Sequence, residues 1–140
     1  MHLHKPYTGK STTSSSYYIS CESLNRCSYY IHYLCPVPPS RVSLSGNVSV
    51  VADRDSTVFT CTSDSANPAA TLTWRRNGII VSATTGAIIT KGDFNGDVTT
   101  QALTIRPTRS DDGVQYSCSP SNGIGNQIHS DTLTLNLVCK

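Results

Sequence analysis

Asp112-Gly113-Val114-Gln115-Tyr116-Ser117-Cys118 carries the most information per residue in this chain. In an extended strand alternate side chains share a face, so Tyr116 and Cys118 point the same way. The phenol can then turn its hydroxyl back towards a nearby backbone group, with Asp112-Gly113 forming the turn just before it. Upstream, Leu103-x-Ile105 shows the same inward alternation. Further back, Thr57, Phe59 and Cys61 share one face of another strand, and Leu72 and Trp74 share one face of the strand after that. Cys61 and Cys118 lie 57 positions apart, each at the inward phase of its strand. A disulfide between facing sheets is geometrically reasonable. Trp74 is placed where a large ring can pack on it.

The surrounding sequence has the same texture. Val48 and Val50 fit a first strand, followed by a turn at Asp53-Arg54-Asp55. Asn67-Pro68 breaks the chain before Leu72, and Asn77-Gly78 makes a turn after Trp74. Ile79-Ile80-Val81 and Ile88-Ile89 are candidates for short connecting strands, and Asn95-Gly96 marks another turn. Leu133, Leu135 and Leu137 alternate with Thr132, Thr134 and Asn136 in the last strand. Short alternating runs at regular spacing predict an all-β sandwich, and no stretch supports a helix of useful length.

Composition narrows the functional classes. Net charge is only +2 and charged residues make up 14% of the chain, without a Lys/Arg run to track a phosphate backbone. This argues against a nucleic-acid partner. The 37% hydrophobic content suffices for one core, and no apolar run is long enough to cross a bilayer. Six cysteines point to an oxidising compartment. No apolar leader follows Met1, so the expectation is a piece of a larger protein.

Residues 1–38 differ from the rest. They hold six of the seven tyrosines, three of the six cysteines and three of the four histidines, without apolar periodicity. Ser11–Ser16 is a polar tract, and Pro36, Pro38 and Pro39 form a linker prone to polyproline II. The expectation for 1–38 is a disordered extension ahead of a domain at 39–138. The competing reading is a gene-model artefact, untranslated sequence read in frame. A continuous spliced message across the junction would exclude it.

Taken in order, Cys61, Trp74, Leu103-x-Ile105 and Asp112-x-x-x-Tyr116-x-Cys118 resemble the immunoglobulin superfamily from Pro39 to Val138. Ser65-Ala66-Asn67-Pro68 ahead of Trp74 is similar to the corresponding turn of I-set and C2-type domains of nephrin-like, Kirre-like and nectin-like adhesion receptors. The resemblance implies a Greek-key two-sheet sandwich and a tyrosine corner at Tyr116. It further implies a protein-binding module of a cell-surface adhesion or recognition receptor, located outside the cell. Its partner would be another immunoglobulin-type domain, engaged homophilically or heterophilically. The alternative is a structural spacer in a matrix or muscle filament protein. The candidate contact residues are Arg75 and Arg76 together with Asn122, Gly123 and Asn126 of a Gly-rich hairpin read as Ser121–Asn126.

Several sharper chemistries find little support. Asp93-x-Asn95-x-Asp97 matches the start of a calcium loop, but Val98 and Thr104 stand where glycine and glutamate are needed. Cys21, Cys27, His32 and Cys35 have zinc-ligand chemistry in no common zinc spacing, and their pairing, like that of Cys139, stays open. His129 has no recognisable catalytic partner, and the adjacent Asp111 and Asp112 point apart. Asp112 is expected to cap the turn before Tyr116 or to pair with a base such as Lys91. The chain reads as a non-enzyme without a cofactor. Asn47-Val48-Ser49 is a glycosylation sequon suited to a secreted domain.

Overall fold

A computed structural model describes residues 36–138. Cys21, Cys27, His32, Cys35 and Cys139 lie outside the described residues, as does most of the 1–38 segment. The described chain is all-β. Ten strands run β1 (Val42–Gly46), β2 (Ser49–Val50), β3 (Thr57–Ser63), β4 (Thr71–Arg76), β5 (Ile79–Val81), β6 (Ile88–Lys91), β7 (Asp97–Ile105), β8 (Gln115–Ser121), β9 (Leu133–Thr134) and β10 (Asn136–Leu137). The helical content among the described residues is one short 3₁₀ turn, Arg109–Asp111, whereas Asp93–Asn95 is a tight turn with positive φ at Phe94 and Asn95.

One sheet has the order β1-β3-β7-β6 and the other β5-β4-β8-β9, while β10 pairs in parallel with β2. Period-2 patterning explains the layering. In β3, Thr57, Phe59, Cys61 and Ser63 are buried and the residues between them are not. In β4 the buried positions are Leu72 and Trp74, and in β8 they include Tyr116 and Cys118. Two inward faces of this kind bury each other, at roughly 25 cal/mol per Å² of apolar surface removed from water. Phe59 and Tyr116 meet edge-on across the core, with ring centroids 5.2 Å apart.

The opening of the domain departs from the sequence expectation. A strand, β1, precedes the Val48–Val50 segment, and its half-buried Val42 and Leu44 alternate with serines. After Gly46 the chain changes partner: β1 pairs with β3, whereas Ser49 and Val50 pair with Asn136 and Leu137. The switch needs a residue without a side chain. A Cβ on Gly46 would lie 2.3 Å from Cδ1 of the fully buried Phe59 ring and 2.7 Å from the Val58 carbonyl oxygen.

The domain edge is also set by hydrogen bonding. Val37 exchanges backbone hydrogen bonds with Asn67, at 2.7 and 2.9 Å, so the ladder reaches back to Val37, ahead of the edge expected at Pro39. At the other end, Leu133 and Leu135 face the core and β9 pairs with β8 only at Leu133–Thr134. The connection from β8 to β9 therefore runs from Asn122 to Thr132, longer than the expected Ser121–Asn126 hairpin.

The isoleucine runs form strands, but not core strands. β5 and β6 are edge strands, and Ile79, Ile80, Ile88 and Ile89 are 55–72% exposed. Between them, Thr84 and Thr85 act as a side-chain substitute for a strand. Thr85 Oγ1 accepts from the Ala102 N–H at 3.1 Å, and Thr84 Oγ1 accepts from the Thr104 N–H at 2.7 Å. They cover the β7 edge beyond the reach of β6, where open backbone groups would otherwise invite another strand.

Replacing Gly46 with Ala should lower stability by about 1–3 kcal/mol, the usual scale of overpacking a filled core. Denaturant unfolding of the two proteins checks this, and an unchanged midpoint would show that β1 can move aside freely.

Candidate protein-binding surface

The Cys61–Cys118 disulfide joins β3 to β8 with a Cα–Cα distance of 6.5 Å. Trp74 stands directly opposite Cys118 in the β4–β8 register, and Gln101 stands opposite Cys61 in the β3–β7 register. The indole N–H donates to Gln101 Oε1 at 3.2 Å, a second link between the sheets beside the covalent one. Gln101 Nε2 in turn donates to the Thr85 carbonyl at 3.0 Å. Gln101 is not among the residues expected from the sequence to matter. Its signal there is a polar residue at the inward phase of Leu103 and Ile105, where a buried indole N–H needs an acceptor. Leu103 is buried, and Ile105 is half-buried against the same core.

Arg75 and Arg76 are braced internally. Arg75 Nη1 donates to Ser119 Oγ at 2.6 Å, and Ser119 is buried. Arg76 pairs with Asp111 and also faces the Tyr116 phenol. The hydroxyl-to-backbone bond expected of Tyr116 is not seen among the described residues. Arg76 stands opposite Tyr116 in the β4–β8 register, and the neighbouring phenol and Asp111 raise the guanidinium pKa. Asp112 does not pair with Lys91. Its Oδ1 accepts from the Leu137 N–H at 2.8 Å, Gly113 N–H donates to the Leu135 carbonyl, and Lys91 pairs with Asp97 at 2.7 Å. The Asp112-Gly113 turn therefore fastens the last strand.

Asp111 is the most strongly engaged carboxylate of this end. The Thr108 N–H donates to its Oδ2 at 2.7 Å and the Thr108 hydroxyl at 2.9 Å, with Arg76 on its other oxygen. Chiefly the Thr108 backbone donor, against an opposing effect of burial, holds its carboxyl below the usual carboxylate range.

The opposite end gathers four segments through hydrogen bonds. Asn122 Nδ2 donates to the carbonyls of Val37 at 2.8 Å and Pro68 at 3.0 Å. Ala66 exchanges backbone bonds with Asp97, and Ser65 Oγ donates to the Asp93 carbonyl at 2.7 Å. Gly125, at φ 73°, lies so close to Pro38 that a Cβ there would be 2.8 Å from the proline ring. Asn122 is a fastener of this end, whereas Gly123 at φ 78° faces open space and Asn126 is exposed.

The β6–β7 turn also differs from expectation. It is centred on Phe94-Asn95, both with positive φ (54° and 59°), and Gly96 N–H donates to the Asp93 carbonyl at 3.0 Å. Gly96 itself is extended. Its glycine is needed because a Cβ would lie 2.2 Å from Ser65 Oγ. Lys91 pairs with Asp97 across the base of this turn. Among the described residues no group of His, Cys, Asp or Glu side chains converges on a metal position. His129 is exposed, and its neighbour Ser130 pairs through backbone and hydroxyl with Cys118. Asn47 is exposed, with its side-chain oxygen accepting from the Ser49 N–H at 3.1 Å.

The family description "Immunoglobulin domain" matches residues 38–122. No curated protein matches the chain. Among solved structures, the full ectodomain of mouse nectin-like molecule 4 superposes with a TM-score of 0.61 at 18% identity, over 73% of this chain and 35% of that one. Rst D1-D2 gives 0.60 at 18% identity, over 73% and 49%. The IgNAR antibody domain C1 gives 0.55 at 17% identity, over 72% and 95%. At these identities the likeness is one of fold, and the chain spans less than half the length of the first two structures.

A group whose folded pKa is depressed stabilises the fold above its unfolded pKa, and that stability is lost as pH falls through the folded value. Asp111→Asn should therefore flatten the loss of stability with acidification that begins below about pH 5, given an unfolded Asp pKa of about 3.9. Urea midpoints of both proteins across this range check it, and parallel pH profiles would remove Asp111 from the balance.

Proposed function

The chain belongs to the immunoglobulin-domain family, and on that premise we propose that it is an extracellular protein-binding module of a cell-surface adhesion or recognition receptor. The observation that carries this reading is the disulfide-pinned sandwich itself. A Cys61–Cys118 bond buried at the centre of the core forms and persists in an oxidising compartment. The likeness in fold to the nectin-like ectodomain and to Rst D1-D2 supports an adhesion setting and a longer parent chain. Among the described residues no helix is long and apolar enough to cross a membrane. The partner in this reading is another immunoglobulin-type domain. Fold alone does not choose it, because this sandwich hosts many activities.

The outer face of the β4–β8 sheet offers Thr73, Arg75, Ser117 and Gln115 with few large anchors. Contacts of that kind are individually weak, and multivalent display at a cell surface compensates by raising the effective concentration. The full chain coupled to beads should cluster them if recognition is homophilic. A monomer in ultracentrifugation that also leaves beads dispersed would eliminate the homophilic form.

Asn47 is proposed to carry an N-linked glycan. It is exposed, and its local turn leaves the rest of the sequon accessible at Ser49. Expression through a secretory pathway should give a glycosidase-sensitive mass increment that Asn47→Gln abolishes. An unshifted wild-type mass would refute occupancy.

A further inference from the structure

Phe94 is the most exposed large hydrophobic residue among those described, at 85%, and it also sits in the wrong backbone region for its type. The turn Asp93–Gly96 has φ 54°, ψ 35° at Phe94 and positive φ at Asn95, the geometry of a type I′ turn. That geometry favours Asn, Asp or Gly at both central positions, because a bulky side chain in the left-handed region is strained. A phenylalanine there is unfavourable for the fold twice over, through backbone strain and through exposed apolar surface. Strain of this kind persists where the surroundings over-determine it, and such positions cluster at functional sites.

The surroundings do over-determine it. Gly92 N–H donates to the Gly96 carbonyl at 2.9 Å, closing the base of the hairpin. Ser65 Oγ binds the Asp93 carbonyl, and Lys91 is paired with Asp97 across the strands. Both glycines lie flush on the β3–β4 connection. A Cβ on Gly92 would be 2.9 Å from Ser65 Oγ, and one on Gly96 would be 2.2 Å from it. The hairpin is thus clamped against Ser65 and Ala66, with the ring held outward. An aromatic side chain presented rigidly loses little conformational freedom on binding, which is the property of an interface anchor.

We infer that Phe94 is the anchor of a protein-docking site at this end of the domain, inserting into an apolar pocket that carries a basic group at its rim. The basic group follows from Asp93. That residue is exposed next to Phe94, and among the described residues its carboxylate joins no ion pair. The same carboxylate disfavours a membrane as the occupant, since an anionic leaflet repels it and a single ring buries little apolar surface. The inference rests on the protein-binding reading above, and it moves the energetic centre of binding away from Arg75, Arg76 and Asn122, whose polar groups are held internally.

The test uses the full chain, displayed multivalently, against an array of purified immunoglobulin-type ectodomains that includes this chain itself. Vesicles of phosphatidylcholine with phosphatidylserine are measured in parallel. Phe94→Asn and Phe94→Gly should each lower the signal on a bound ectodomain at least tenfold while raising the melting temperature, because both relieve the strained turn. Phe94→Tyr should keep most of the signal, and Ile80→Ser on the exposed β5 edge should leave it within about twofold. A bound ectodomain that is indifferent to Phe94→Asn overturns the inference and leaves the protein-binding reading standing. The absence of any bound ectodomain counts against both. Binding to vesicles that needs Phe94, without binding to any ectodomain, overturns the choice of a protein partner.

Discussion

The bond between Cys61 and Cys118 ties the inner strands of the two sheets, and most of the architecture is organised around it. Closing a chain segment of this length removes conformational freedom from the unfolded state, a contribution of about 4 kcal/mol in the chain-entropy account. The bond also sets local chemistry. It places Trp74 beside one sulfur and Gln101 beside the other, so that the buried indole N–H finds an acceptor on the facing sheet. Gln101 then reaches Thr85, which covers part of the β7 edge. A covalent link at the centre is thereby connected, through two side chains, to the protection of a sheet edge at the periphery.

The two ends of the sandwich are put together differently. At the Asp111 end, the carboxylates serve structure: Asp111 holds Thr108 and Arg76, and Asp112 holds the last strand. At the Phe94 end, the fastening is done by Asn122, backbone ladders and glycines packed without room for a Cβ. That leaves a charged and an aromatic side chain, Asp93 and Phe94, directed outward from a rigid base. An immunoglobulin domain that binds proteins gains from such an arrangement. The polar residues that look available in sequence are committed to holding loops in place, and a locally unfavourable residue is displayed by them.

Residues that belong to an alternating run are legible from the sequence. The alternation of Thr57, Phe59 and Cys61, of Leu72 and Trp74, and of Leu133, Leu135 and Leu137 reports burial directly, because strand side chains have a period of two. The family resemblance rests on those same inward positions, and so does the sandwich. What the pattern does not encode is which neighbour a strand meets. The isoleucines of β5 and β6 have strong strand propensity, yet they lie at sheet edges and stay exposed.

The remaining decisions depend on contacts between segments distant in sequence. Asn95-Gly96 is a turn dipeptide by composition, but the turn shifts to Phe94-Asn95 because Gly96 must lie against Ser65. Arg76, Asn122 and Asp112 are exposed-type residues with free donors or acceptors in sequence, and each is engaged by a group at least 25 positions away. The period of a strand is local, and the sequence alone established the core and the fold. The partners of polar side chains and the strain of a turn arise from where strands cross, and these came from the tertiary structure.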